Sequence, residues 1–282
     1  LILVILIVYV FSWFHPVYVF SVIINIDIHV EGGDMNIESL SFKERSLMFA
    51  DLSKIAYSNK RDATSQAKNY GFNTVEFYDR DGAQAYRFMN KTDLVIACRG
   101  TQPTEWNDIS ADLKAIPVMA ETVSRVHKGF KEEVDELWPM VCEDINRKVN
   151  LKKNLWFCGH SLGAAMATIM ASRAKHNREL NDPVELYTYG SPRVGWKKYV
   201  KSLDVVHHRW RNNNDVVTKV PLWIMGYRHH GELHYITSGC KIGKPGFVDW
   251  CKGMWDGIKQ RRFDSIGDHD IQAYYDNIDK AI

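Results

Sequence analysis

The 282-residue sequence predicts an α/β fold, a mostly parallel central sheet with helices on both faces. Three observations carry that expectation. After its first residue, Asp93 to Cys98 is wholly apolar, the pattern of a strand buried on both faces. Phe130 to Val149 sets Val134, Leu137, Val141, Ile145 and Val149 on one face of a helix. Finally, the apolar run Leu155-Trp156-Phe157-Cys158 passes through Gly159-His160-Ser161-Leu162-Gly163 into the small, helix-prone stretch Ala164 to Ala171, a strand–turn–helix unit.

The remaining elements follow in order. Ser41-x-x-Glu44 is a capping box, and Leu47, Met48, Leu52, Ile55 and Ala56 continue it at helical spacing. Asn73 to Tyr78 and Ala85 to Met89 flank Asp79-Arg80-Asp81-Gly82, a hairpin signal. Beyond the serine unit, strands are expected at Val184 to Tyr189, Val205 to Trp210 and Gly226 to Ile236. The last helices are expected at Phe247 to Ile258 and His269 to Ile278, the former carrying a core stripe of Phe247, Trp250, Cys251, Met254, Trp255 and Ile258.

Composition narrows the function classes. With 36 basic and 34 acidic side chains the formal charge is +2, which leaves no footprint for nucleic acid. The five cysteines, Cys98, Cys142, Cys158, Cys240 and Cys251, show no C-x-x-C, and no His/Cys cluster has zinc spacing, so no metal is expected. Cys98 and Cys158 read as buried small hydrophobes, and a Cys240–Cys251 bridge is a minority reading. Residues 1–34 stand apart from a single domain over 35–282. Leu1 to Ile24 is apolar and long enough to span a bilayer, but lacks a basic flank and an Ala-x-Ala site. The readings are an artefactual upstream stretch, a signal or anchor segment, or an extra pair of strands. Localisation follows that choice: secreted or membrane-associated if residues 1–24 are genuine, otherwise cytoplasmic or exported by another route.

Ser161 is the candidate nucleophile. A sharp turn from strand to helix pushes its hydroxyl outward and demands small residues two before and two after, hence Gly159 and Gly163. A serine needs a base, and the base an orienting acid. Eleven histidines compete. His160 leaves the turn in another direction, His127 precedes the serine, and His229, His230 and His234 read as structural. His269, on the polar turn Gly267-Asp268-His269-Asp270, is the candidate base. Asp215, ending Arg211-Asn212-Asn213-Asn214-Asp215, is the candidate acid, although the asparagine run would make an Asx turn there in any case. Asp268 and Asp270 are poorer acids because neighbouring side chains diverge. The Leu162 N–H is positioned as one oxyanion donor, and Gly100-Thr101, after the most buried strand, is a candidate for the other.

Arg99-Gly100-Thr101, Val126-His127-Lys128-Gly129-Phe130, the Ser161 motif, Tyr189-Gly190-Ser191-Pro192-Arg193-Val194-Gly195, Asn214-Asp215-Val216-Val217 with Pro221, and Asp268-His269 with Tyr274 form an ordered series. Together the series resembles the class 3 lipases, the α/β-hydrolase family of the fungal triacylglycerol lipases. The resemblance implies an α/β-hydrolase fold with a short lid, Ser161, Asp215 and His269 as the triad, and the N–H groups of Thr101 and Leu162 as the oxyanion hole. It further implies a lid over residues 102–113 with Trp106, Ile109 and Leu113 on one face, and Asp112 holding the Thr101 hydroxyl. His127 is scaffold in that family.

The expected activity is ester hydrolysis through an acyl-enzyme, with no cofactor and no obligate protein partner. The expected substrate is a long-chain glyceride at an oil–water or membrane interface. Leu222, Trp223 and Ile224, just past the acid, are candidates for an acyl groove or a lipid contact, with core packing as the plain alternative. Soluble short-chain, phospholipid and feruloyl esters remain alternatives, as does a non-catalytic, membrane-tethered binding module.

Overall fold

A computed structural model describes residues 35–100, 115–244 and 267–282. The N-terminal extension, the lid region from Thr101 to Leu113 and the predicted helix from Phe247 to Ile258 lie outside the described residues, as does Cys251.

The sheet is built from β1 (Thr74–Arg80), β2 (Ala83–Met89), β3 (Asp93–Cys98), β6 (Asn154–His160), β7 (Pro183–Tyr189), β9 (Val206–Asn212), β11 (Glu232–Ile236) and β12 (Ile242–Gly243), in the order β1-β2-β3-β6-β7-β9-β11-β12. Neighbours from β3 through β11 pair in parallel, while β1, β2 and β12 add antiparallel edges. The hairpin lies where Asp81-Gly82 predicts it, with Arg80 opposite Ala83. A small second sheet joins β4 (Pro117–Met119), β5 (Arg125–His127), β8 (Gly195–Trp196) and β10 (Tyr227–Arg228).

Strand residues alternate between two apolar cores, one on each face of the sheet. Leu94, Ile96 and Cys98 with Leu155, Phe157 and Leu186 pack under α3 (Lys128–Ile145) and α4 (Leu162–His176). Val95 and Ala97 with Trp156, Cys158, Tyr187 and Trp210 face α1 (Phe42–Ile55), α2 (Lys60–Ala67) and α6 (Ile271–Ala281). The central parallel strands require both covers, because β3 and most of β6 bury apolar side chains on each face. A short α5 (Lys197–Ser202) leads into β9.

The start of α1 carries the predicted reciprocal cap: Ser41 Oγ accepts from Glu44 N, and a Glu44 carboxylate oxygen accepts from Ser41 N at 2.8 Å. Three boundaries differ from expectation. Helix α3 stops at Ile145, so Val149 stands 63% exposed instead of extending the apolar face. The segment Gly226 to Ile236 is two strands, β10 in the small sheet and β11 in the large one, because the chain turns at His229–Gly231. The last helix begins at Ile271, which leaves His269 on the loop before it. Among the described residues no helix is long and apolar enough to cross a membrane.

Candidate active site

Ser161 is the single residue between β6 and α4, with φ 61° and ψ −129°. For a residue with a side chain this conformation costs of order 1–3 kcal/mol, so the surroundings must impose it. Its N–H donates to the Tyr189 carbonyl at 3.0 Å, and its carbonyl accepts from Ala164 N at 3.0 Å. A Cβ on Gly159 would run into the Gly163 carbonyl, and one on Gly163 into the Cys98 carbonyl. The glycine spacing is therefore a steric condition for bringing the helix this close to β3 and β6.

The loops after the parallel strands β6 and β9, with the segment just before α6, bring the predicted trio together. His269 Nε2 lies 2.8 Å from Ser161 Oγ, and His269 Nδ1 lies 2.9 Å from Asp215 Oδ2. All three residues are buried. A carboxylate can only accept at Nδ1, so that nitrogen carries the hydrogen and Nε2 is left to accept from the serine hydroxyl. The two readings of Asp215 both hold, one on each oxygen. Oδ1 accepts from Val217 N at 2.9 Å, closing the Asx turn, while Oδ2 takes His269 and also the Tyr274 hydroxyl at 2.6 Å.

Several supports were not legible as such in the sequence. His160 does leave the turn away from the serine, and it holds the base by its main chain: His160 Nε2 lies 2.6 Å from the His269 carbonyl and Nδ1 lies 3.0 Å from the Tyr57 hydroxyl. Burial holds the His160 imidazole well below the ordinary histidine pKa, so the ring is neutral, donating through Nε2 and accepting from Tyr57. Burial also raises the Tyr57 phenol, which keeps its donor proton. Asp268 laces two loops together. Its carboxylate accepts from Asn213 Nδ2 and Asn214 N, each at 3.1 Å, and its carbonyl from Asn212 Nδ2 at 3.0 Å. Gly190, at φ 61°, runs beneath the pair: a Cβ there would sit 2.8 Å from Asp215 Oδ2 and from His269 Cε1 and Nδ1. The signal for Gly190 was present in Tyr189-Gly190-Ser191-Pro192, but nothing local says what the missing side chain makes room for.

The other predicted residues divide. Leu162 is the first residue of α4, where a backbone N–H has no acceptor within the helix. Thr101, Trp106, Ile109, Asp112 and Leu113 lie outside the described residues. Leu222, Trp223 and Ile224 are 54%, 63% and 76% exposed, so core packing does not account for them. His127 is buried against Phe130, with ring centroids 4.2 Å apart, and desolvation lowers its pKa to about 4. His229 and His230 bond to the Thr218 carbonyl and to His207, at 2.8 and 3.0 Å.

Comparison with known proteins adds independent findings. Residues 95–225 match the family profile described as Lipase (class 3). Over that stretch the chain is similar to the class 3 lipases. Toxin TseL of Vibrio cholerae is 34% identical over 196 residues, covering 54% of this chain and 30% of its own length. Secreted mono- and diacylglycerol lipase 1 of Fusarium solani is 35% identical over 123 residues, 40% of this chain and 35% of its own. Secreted mono- and diacylglycerol lipase A of Penicillium cyclopium is 30% identical over 186 residues, 63% of this chain and 58% of its own. The chain thus spans less than two thirds of each of these relatives. Among solved structures, Rhizomucor miehei lipase in its propeptide complex aligns with a TM-score of 0.57 and 25% identity, over 71% of this chain and 70% of that one. A point-mutant form of the Penicillium cyclopium lipase aligns at 0.61 and 21%, over 82% and 96%. The fold shared with these structures is that of the α/β-hydrolases.

Proposed function

We propose that this chain is a class 3 lipase that hydrolyses carboxylic esters of acylglycerols through a serine acyl-enzyme. The observation that carries the proposal is the hydrogen-bonded chain from Ser161 Oγ through His269 to Asp215, set on a strained turn at the start of a helix. Ser161 Oγ attacks the ester carbonyl carbon as His269 Nε2 takes its proton. The tetrahedral oxyanion is met by the N–H of Leu162 and that of Thr101, and Asp215 stabilises the imidazolium without accepting its proton. Collapse expels the alcohol, which leaves with the proton from His269. Water, deprotonated by the same nitrogen, then attacks the acyl-enzyme and restores Ser161. Every step balances with the side chains named and water alone.

For the substrate, two features point to lipid. The exposed segment from Leu222 to Met225 follows the acid loop directly, an apolar surface suited to a lipid layer or an acyl chain. Relatives are named for mono- and diacylglycerols, and phospholipase A1-IIgamma of Arabidopsis thaliana, 30% identical over 181 residues, for phospholipids. Acylglycerols at an interface are the substrate class proposed.

A fluorophosphonate probe should label the wild-type chain and not Ser161→Ala, whose kcat should fall by roughly four to six orders of magnitude. Retention of most activity in that variant removes the proposal. Rates on p-nitrophenyl esters of rising chain length, beside emulsified triglyceride and methyl ferulate, define the substrate.

A further inference from the structure

We propose that His208, His234 and Glu232 form a transition-metal site, of a type suited to zinc, that clamps β9 to β11. The three residues are distant in sequence and meet only through the parallel pairing of these strands, in which Glu232 stands opposite His208 and His234 opposite Trp210. Since side chains alternate along a strand, positions 208, 232 and 234 project from the same face. One ligand atom from each lies within 4.8 Å of the others, and His208 Nδ1 is 3.1 Å from His234 Nε2. Two donors on a tetrahedral zinc, each about 2.0–2.1 Å from the ion, stand about 3.3 Å apart. The imidazole pair already has that spacing, and the exposed Glu232 side chain is free to close the remainder.

The rings are oriented by surroundings that leave their nitrogens facing one another. Phe42 packs on both, with centroids 5.0 Å from His208 and 5.1 Å from His234. Trp210 stacks on His234 at 4.8 Å, and Tyr187 lies 4.9 Å from His208. The other nitrogen of His208, Nε2, points to Glu185 Oε1 at 3.9 Å. Arg45 pairs with Glu185 at 3.4 Å, which holds this carboxylate beside the imidazole, 3.9 Å from Nε2. A carboxylate behind a ligating histidine fixes the tautomer that offers the opposite nitrogen to a cation. Without metal, the single hydrogen on His234 Nε2 bridges the two imidazoles; for the cation to take both lone pairs, His234 exchanges that hydrogen through water for one on Nδ1, and both rings stay neutral. Water completes the fourth position. No local spacing in the sequence reveals this set, because 26 positions separate the two histidines.

The test uses the whole chain after chelator treatment. Buffered zinc at about a hundredfold over its Kd should raise Tm by roughly 5–10 °C, and cobalt(II) should give the visible ligand-field bands of a four-coordinate centre. His234→Gln should lose both signals. Glu232→Gln, on an exposed position, should keep the metal-free Tm and its rate on a soluble ester while weakening cobalt binding at least tenfold. The proposal is overturned by a wild-type chain with neither signal, or by signals that persist in both variants. A Tm shift that survives Glu232→Gln but not His234→Gln overturns the three-ligand set. None of these readouts depends on the identity of the ester substrate.

Discussion

Replacing Gly190 by alanine tests the geometry of the site without touching any residue that transfers a proton. The added Cβ would stand 2.8 Å from Asp215 Oδ2 and from two atoms of the His269 ring, where ordinary contact begins near 3.4 Å. One side or the other must yield by about 0.6 Å. A misplacement of about 1 Å costs on the order of a hundredfold in rate, so kcat should fall roughly ten- to a hundredfold with KM little changed. Alanine at φ 61° also carries about 1–2 kcal/mol of backbone strain, which lowers Tm by roughly 2–8 °C. The assay is kcat and KM on a soluble p-nitrophenyl ester, with fluorophosphonate labelling rates alongside. Gly82→Ala separates the two effects, because φ there is 89° and no described atom lies within 4 Å of the new Cβ. That variant should lose stability and keep its kcat. A Gly190→Ala chain within twofold of wild type in kcat refutes the argument that this backbone is bare in order to seat the acid and the base.

Tyr274→Phe removes a 2.6 Å hydrogen bond to the Asp215 carboxylate and leaves the buried ring, so stability measured by urea should drop by about 1.5–3 kcal/mol; a change under 0.5 kcal/mol contradicts this. Desolvation lowers the pKa of His127 to about 4 and holds His160, His207 and the half-buried His229 well below the ordinary value, so all four are neutral in the folded chain. The unfolded chain protonates these rings near pH 6.5 while the folded chain does not, so stability is full above that pH and falls as pH drops from 6.5 towards 4. Urea midpoints at pH 7, 6 and 5 measure the slope before most carboxylates titrate, and a flat profile between 7 and 5 speaks against it. Trp223→Ser with Ile224→Ser should cut the rate on emulsified lipid several-fold and spare a soluble ester, because both side chains are exposed. Equal losses on both substrates argue against a lipid-facing segment.

Elements with short-range causes were legible. The Ser41–Glu44 cap, the Asp81-Gly82 turn and the serine turn between β6 and α4 are each decided within a few residues, and the structure has them there. The trio of Ser161, Asp215 and His269 follows from chain order and family resemblance, and its members stand at hydrogen-bonding distance. What stayed hidden depends on contacts between distant segments. Tyr57 meets His160 across 103 positions, and Asp268 binds the asparagine loop across more than fifty. Asp268 reads from sequence as a poor acid, and its carboxylate instead fixes the loop from which Asp215 departs. The run from Gly226 to Ile236 looks continuous because no proline interrupts it and Tyr227, Leu233, Tyr235 and Ile236 are strand formers. Only the competition of two sheets for its ends divides it.

The base arrives late. His269 enters the crevice on the segment whose helix, α6, seals the apolar surface of α1 through Tyr274 and Ile278, more than a hundred positions after the nucleophile. A ribosome-bound or partly folded chain can therefore expose its serine turn while having no proton acceptor for it. Docking of α6 therefore completes the proton relay, so that covering an apolar face and arming the nucleophile are one event.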